Sequence, residues 1–135
     1  MQASSRVEKC LAELVAFDTR NPGGDERALA EKLARDLSAL GARTTEIFAS
    51  AGHYSTFARF GTRDPTLILN AHIDTVPANS GSSTDPLVLV RRDGRLHGLG
   101  SADTKGAIAA ILEALAQRKA SGTAPNGLAV LFSGD

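Results

Sequence analysis

The stretch NAHIDTVP, Asn70 to Pro77, places one of the chain's three histidines two residues before an aspartate. In extended backbone, side chains two positions apart point to the same side, so His72 and Asp74 share a face. The Asp74 carboxylate can then accept a hydrogen bond from one imidazole nitrogen while the other nitrogen binds a metal ion. A His-x-Asp pair is a weak signal by itself, and a histidine hydrogen-bonded in an ordinary turn accounts for the same residues. Pro77 stiffens the exit of the loop in either case.

A second carboxylate stands in GLGSADTKG, Gly98 to Gly106. Asp103 directly precedes a helical pattern, where Asp is a favoured N-cap. A phosphate loop fits poorly. Gly98 and Gly100 match the start of a dinucleotide fingerprint, but its third glycine position holds Asp103, whose charge repels a pyrophosphate. A Walker loop fails too, because Thr104 stands before Lys105 where Gly is needed and Gly106 follows where Ser or Thr is needed. What remains is a glycine-rich approach delivering one carboxylate to a helix start, where it either caps the helix or bridges metal ions.

The elements that must position these groups are legible in the apolar spacing. From Ser5 to Phe17, the residues Val7, Leu11, Leu14 and Val15 form a helical stripe. Pro22, Gly23 and Gly24 break it, and Asp25 and Glu26 put negative charge at the start of a second helix. That helix carries Leu29, Leu33, Leu37 and Leu40, with Gly41 at the place of a left-handed cap. Strand candidates follow in RTTEIF, STFARF and TLILN; the continuously apolar third predicts a central strand buried on both faces. After the loop ANSGSSTDP, Asp93-Gly94 between Val90 and Leu96 predicts a tight hairpin. A helix from Thr104 to about Lys119, with Ile108, Ile111, Leu112 and Leu115 on one face, leads to a second buried strand in NGLAVLFSGD.

This order predicts an α/β domain in which TLILN, the helix and LAVLFS form a crossover between parallel strands. Ligands bind such sheets beyond the carboxyl ends of the strands. His72 and Asp74 fall past one such end and Asp135 past the other, so parallel strands bring both sets to one edge.

Composition excludes several roles. A chain of 135 residues, 42% hydrophobic, supports one domain and is short for two. Fifteen basic residues balance fifteen acidic ones, without a cluster that would follow a phosphate backbone, so no nucleic-acid partner is expected. The polar start MQASSRVEKCLAELVAF and the lack of a long apolar run predict a soluble, cytoplasmic protein without a membrane partner. Cys10 is the only cysteine and reads as a packed residue without function.

HIDTVP, GLGSADTKGAIAA and a strand ending LFSGD, in that order and at these separations, resemble the metallopeptidases that include acetylornithine deacetylase, succinyl-diaminopimelate desuccinylase, aminoacylase and carboxypeptidase G. The resemblance runs from the NPGGDE loop to the last residue. It implies a three-layer α/β/α fold with a mostly parallel central sheet, truncated here, and a site with two zinc ions, cobalt being an alternative. His72 then resembles the ligand of one ion, Asp74 the catalytic carboxylate that orients and polarises it, and Asp103 the ligand bridging both ions. The family's peptide bond after the bridging aspartate is often cis, which extends the expectation to Asp103–Thr104.

The family continues from the final Asp into two glutamates, the first a general base and the second a metal ligand. This chain stops at Asp135. Residues 1–135 are therefore expected to be the N-terminal portion of a catalytic domain. The general base, the remaining ligands and a lid or dimerisation domain then lie beyond it, and the fragment alone is expected to be inactive. The intact protein is expected to hydrolyse the amide bond of an N-acyl amino acid with metal-activated water. Desuccinylase, dipeptidase and carboxypeptidase activities of the same family are alternatives, as is a non-catalytic α/β binding module. The expected partners are a small N-acyl amino acid or short peptide, and a second copy through a domain absent here.

Smaller departures are Thr104 where Met is common and Leu99 where many members have Arg. The GLG form is similar to that of acetylornithine deacetylases. His97 and His53 read as packing or surface residues. Lys105 reads as a solvated lysine of the first helical turn or as the partner of a nearby carboxylate.

Overall fold

The computed structural model describes residues 5–81 and 83–134. Helix α1, Arg6–Val15, is capped by the Ser5 side chain, which accepts from the Glu8 amide, and buries Leu11, Leu14 and Val15. Helix α2, Arg27–Ala39, buries Leu29, Ala30, Leu33 and Leu37. It ends as the sequence predicts: Gly41 has φ +99°, its amide donates to Ser38, and the Ala42 amide donates to Leu37. This pair of bonds satisfies the last carbonyls of the helix, and the left-handed turn suits a residue without Cβ.

Strands β1, Thr44–Ser50, and β2, His53–Phe60, form an antiparallel hairpin. Strands β3, Leu67–His72, and β6, Leu128–Ser133, are parallel, joined through helix α3, Gly106–Ala120. The sheet order is β1-β2-β6-β3, with β2 and β6 antiparallel, so the sheet is mixed. A small separate hairpin, β4 Val90–Arg92 and β5 Arg95–His97, turns at Asp93 and Gly94, both with positive φ. That turn matches the twist of paired strands, as the Asp-Gly signal predicts.

All three helices contribute to one core on one face of the sheet. Leu14, Leu33 and Ile108 pack with Phe60, Ala71, Val130 and Phe132 from the strands, each 5% exposed or less. The Thr56 hydroxyl donates to Ala30 and ties β2 to α2. Burying each of these side chains other than Ala71 contributes about 1.5–3 kcal/mol. The opposite face carries the outward residues of the same strands, among them Phe48 at 52% and Ile68 at 59% exposure. The described chain thus supplies one helical layer and the sheet, and the third layer is not among the described residues.

Strand β3 departs from the expected central position. It is an edge strand of the described sheet, and Leu67 and Ile68 are exposed. Its apolar run reports two faces suited to burial, whereas only one of them meets a helix within this chain. Strand β6 lies in the interior of the described sheet, between β2 and β3, with Ala129, Val130 and Phe132 fully buried. Asp135, expected just past it, lies outside the described residues.

Candidate metal centre

His72 is the last residue of β3, opposite Ser133 of β6 in the parallel register. The sheet therefore fixes its backbone, and the chain leaves the ladder immediately afterwards. Nδ1 of His72 lies 3.0 Å from the main-chain oxygen of Asp74 and 3.4 Å from the Asp74 carboxylate. The main-chain oxygen is thus the nearer partner, where the sequence predicted the carboxylate. Oδ1 of Asp74 is buried without a hydrogen-bond partner among the described residues.

Asp103 reaches the same place from the other side. Its Oδ1 is 3.0 Å from Nε2 of His72, although the two residues are 31 apart in sequence. It does not cap a helix, contrary to the plainer sequence reading. Residues Ser101–Lys105 form one widened turn, in which Asp103 (φ −132°, ψ 89°) and Thr104 (φ −131°, ψ 21°) are non-helical. The regular helix begins only at Gly106, and the Asp103–Thr104 peptide is cis, as expected. The side chain of Asp103 is 83% exposed, so its carboxylate is presented to the edge of the sheet instead of to helical amides.

These contacts have a chemical consequence. Both ring nitrogens of His72 face oxygen acceptors, whereas a neutral imidazole has only one N–H. By these two contacts alone, the ring would be satisfied on both sides only as an imidazolium. Burial alone would lower the His72 pKa, but hydrogen bonds to Asp103 and Asp74, with both carboxylate charges, outweigh it and raise the pKa. An imidazole nitrogen and a carboxylate oxygen are both donors that divalent cations take, so Nε2 of His72 and the Asp103 carboxylate are a chemically suitable pair for one. The Asp74 carboxylate oxygen, 3.4 Å from Nδ1, lies where it can favour the tautomer with the proton on Nδ1 and Nε2 free for an ion. His72 and Asp103 therefore fit a metal ion, but they do not complete a site. Among the described residues no group of three or more His, Cys, Asp or Glu is assembled that could hold one.

A cavity of about 240 Å³ opens over these groups, lined by His72, Asp74, Thr75 and Asp103 together with Gly98 and Gly100. A larger one of about 740 Å³ adjoins it at Gly98 and is lined by Arg91, Arg92, His97 and Leu99 among others. Gly100 is required where it stands: its φ is +73°, and a Cβ there would lie 2.5 Å from Cγ2 of Thr75.

Lys105 differs from its sequence reading. It is 1% exposed, and its Nζ donates to the Phe17 carbonyl at 2.8 Å instead of reaching solvent or a carboxylate. Burial lowers its pKa to about 8, with the Asp18 charge offsetting part of the effect. Three further contributors were not read from the sequence as parts of the site. The Thr104 hydroxyl donates to the His72 carbonyl, the Thr19 hydroxyl donates to the Ile73 carbonyl, and Glu26, 6% exposed, binds the Tyr54 amide and His53 Nδ1. For Thr19 and Glu26 no local pattern announces the contact, because each is made across more than 25 residues. For Thr104 and Lys105 the signal was adjacency to Asp103. His53 is accordingly tied to a buried carboxylate, and His97 is a half-buried member of the β4–β5 hairpin.

Residues 68–135, half of the chain, match the model of peptidase family M20/M25/M40, and the chain belongs to that family. It is 40% identical over 104 residues to the acetylornithine deacetylase of Pasteurella multocida (strain Pm70), covering 75% of this chain and 26% of that protein. It is 39% identical over 107 residues to the N-acetyl-L-citrulline deacetylase of Xanthomonas campestris pv. campestris, covering 77% and 28%. Human carnosine dipeptidase 1 superposes with a TM-score of 0.80 at 25% identity over 94% of this chain and 31% of that one. The metallo-carboxypeptidase Sso-CP2 of Sulfolobus solfataricus shares the fold, with a TM-score of 0.80 at 19% identity over 96% and 30%. The chain thus spans about a quarter to a third of the length of these relatives.

Proposed function

We propose that this chain is the N-terminal portion of the catalytic domain of a metal-dependent hydrolase that cleaves the amide bond of an N-acyl amino acid. The observation that carries this reading is the imidazole of His72 with an acceptor at each nitrogen, one of them a carboxylate that declines to cap its helix. His72 Nε2 and Asp103 would hold the ion, with zinc the natural occupant of an imidazole and carboxylate pair and cobalt a substitute. The exposure of Asp103 leaves room for a second ion on the same carboxylate. When bound, such an ion polarises the substrate carbonyl and activates water.

The residues of this chain have separate tasks. Asp74 fixes the His72 ring through Nδ1 and raises the basicity of Nε2. Asp103 supplies negative charge at the open edge, and the cavity above it admits the scissile amide. The general base and the remaining ligands are assigned to the segment following Asp135. The two deacetylases similar to this chain are named for N-acetylated amino acids, which supports that substrate class ahead of dipeptides.

The test is a full-length protein assayed for zinc content and for hydrolysis of N-acetylornithine, N-succinyl-diaminopimelate and a dipeptide panel. Highest activity on the acetylated amino acid is expected, with activity and stoichiometric zinc both lost in His72→Ala and Asp103→Ala. Unchanged zinc and activity in those variants would reject the assignment, and preference for dipeptides would move the protein to the dipeptidase branch.

A further inference from the structure

The end of β3 and the widened turn before α3 each carry one candidate ligand; beyond the Ile73 amide, which donates to Ser133, the first leaves the sheet, and the second is irregular backbone. A third segment touches both. We propose that residues 17–21 form a splint that sets the separation of His72 and Asp103, with Thr19 and Lys105 as its positioning residues. The proposal rests on the metal-site reading above and deepens it.

On one side the splint lies alongside the His72 turn in parallel register, bridging Arg20 to Thr75. The Thr19 hydroxyl donates to the Ile73 carbonyl at 2.7 Å, the Thr75 amide donates to the Thr19 carbonyl at 2.9 Å, and the Asn21 amide donates to the Thr75 carbonyl at 2.7 Å. Thr19 is 1% exposed, so a hydroxyl removed there leaves a buried carbonyl unsatisfied. On the other side the Phe17 carbonyl accepts from Nζ of Lys105 at 2.8 Å. Lys105 lies two residues after Asp103, and its buried stem passes close to Gly100. One stretch of five residues thus reaches both segments that carry a candidate ligand through buried and part-buried hydrogen bonds.

The splint is itself held in shape. The Gly24 amide donates to Arg20 at 2.6 Å and the Asp25 amide to Asp18 at 2.9 Å, closing the loop on itself. A Cβ on Gly24 would lie 2.4 Å from the Arg20 amide nitrogen, so the closure requires glycine. Arg20 clamps Asp18 from the solvent side at 2.5 Å. A rigid closed loop with contacts to two turns transmits a fixed distance, whereas either turn alone, bearing the exposed Asp103, would not.

The experiment uses the full-length protein with Thr19→Val and Lys105→Met, which remove the donors at nearly constant volume, and Thr19→Ser, which restores the hydroxyl. Cobalt affinity, the cobalt d–d spectrum, kcat and KM for the N-acyl amino acid, and amide exchange at Asn21 and Thr75 are measured. Loss of such outer contacts weakens metal binding about 10–100-fold. Lys105→Met is expected to weaken cobalt binding and lower kcat by that factor, with an altered spectrum and KM within about twofold. Thr19→Val is expected to lie near the lower end, with faster exchange at Asn21 and Thr75, and Thr19→Ser to return to wild type. The double variant is expected to be no worse than Lys105→Met, since both break one connection. Wild-type cobalt affinity, spectrum and kcat in the folded variants, with only a lowered Tm, would overturn the splint. His72→Ala run alongside separates the two readings: if it abolishes cobalt binding while the splint variants do not, the site stands and the splint falls. If His72→Ala leaves binding intact, the site reading falls and the splint with it.

Discussion

His72 and Asp103 face one another at 3.0 Å, yet they are held by opposite means. His72 is the last rung of a parallel ladder, half-buried, with its backbone set by Ser133 of the neighbouring strand. Asp103 sits on irregular backbone with an exposed side chain, and its position depends on what the next two residues bind, Thr104 on the His72 carbonyl and Lys105 on the Phe17 carbonyl. One candidate ligand is placed by regular secondary structure and the other by tethers. A site built this way is robust on the strand side and adjustable on the loop side, because a ladder fails cooperatively whereas a single tether is lost one bond at a time.

The largest effect expected from breaking this comparison is removal of either partner. His72→Ala and Asp103→Ala in the full-length protein are expected to lower activity by more than the 10–100-fold typical of outer contacts, with bound zinc lost in parallel by metal analysis. Next comes Asp74, the residue proposed to orient the strand-held candidate ligand. Asp74→Asn keeps the main-chain acceptor at Nδ1 but removes the charge, and zinc affinity measured by competition is expected to fall about 10–100-fold. On the loop side, Gly100→Ala meets both a left-handed φ and the Thr75 methyl at 2.5 Å. It is expected to cost about 1–3 kcal/mol in denaturant unfolding and to perturb the Asp103 turn more than the His72 strand. The smallest effect is expected from Thr104→Val, which removes one hydroxyl tether to the His72 carbonyl. About 1 kcal/mol of stability is expected to be lost, with amide exchange rising at the Asp103 turn and unchanged along β3.

Much of the frame was legible from local pattern. The α1 stripe with Ser5 before it, the α2 stripe with Gly41 after it, the Asp93-Gly94 hairpin and the parallel pairing of TLILN with LAVLFS all appear where spacing and turn chemistry put them. Each depends on residues within one element or on a short list of topological rules. His72 and Asp74 were legible for the same reason, since both lie beside the end of an apolar strand. The edge position of β3 was not, because alternation tells which faces are apolar and not which neighbours arrive to cover them.

Asp103 marks the boundary between the two kinds of information. Local propensity reads it as a cap, and only the approach of β3 turns its carboxylate toward His72. Lys105 was misread for the same reason: a lysine in a first helical turn is ordinarily solvated, and here the end of α1 and the loop that follows close over it. The amino-acid sequence by itself determined the elements, their order and the identity of the groups able to hold a cation, because these follow from periodicity, turn residues and side-chain chemistry. The tertiary structure alone decided that a carboxylate thirty-one residues from His72 meets it, and that Thr19 and Lys105 tie the two turns together, because contacts between distant segments are fixed by packing and not by any local preference.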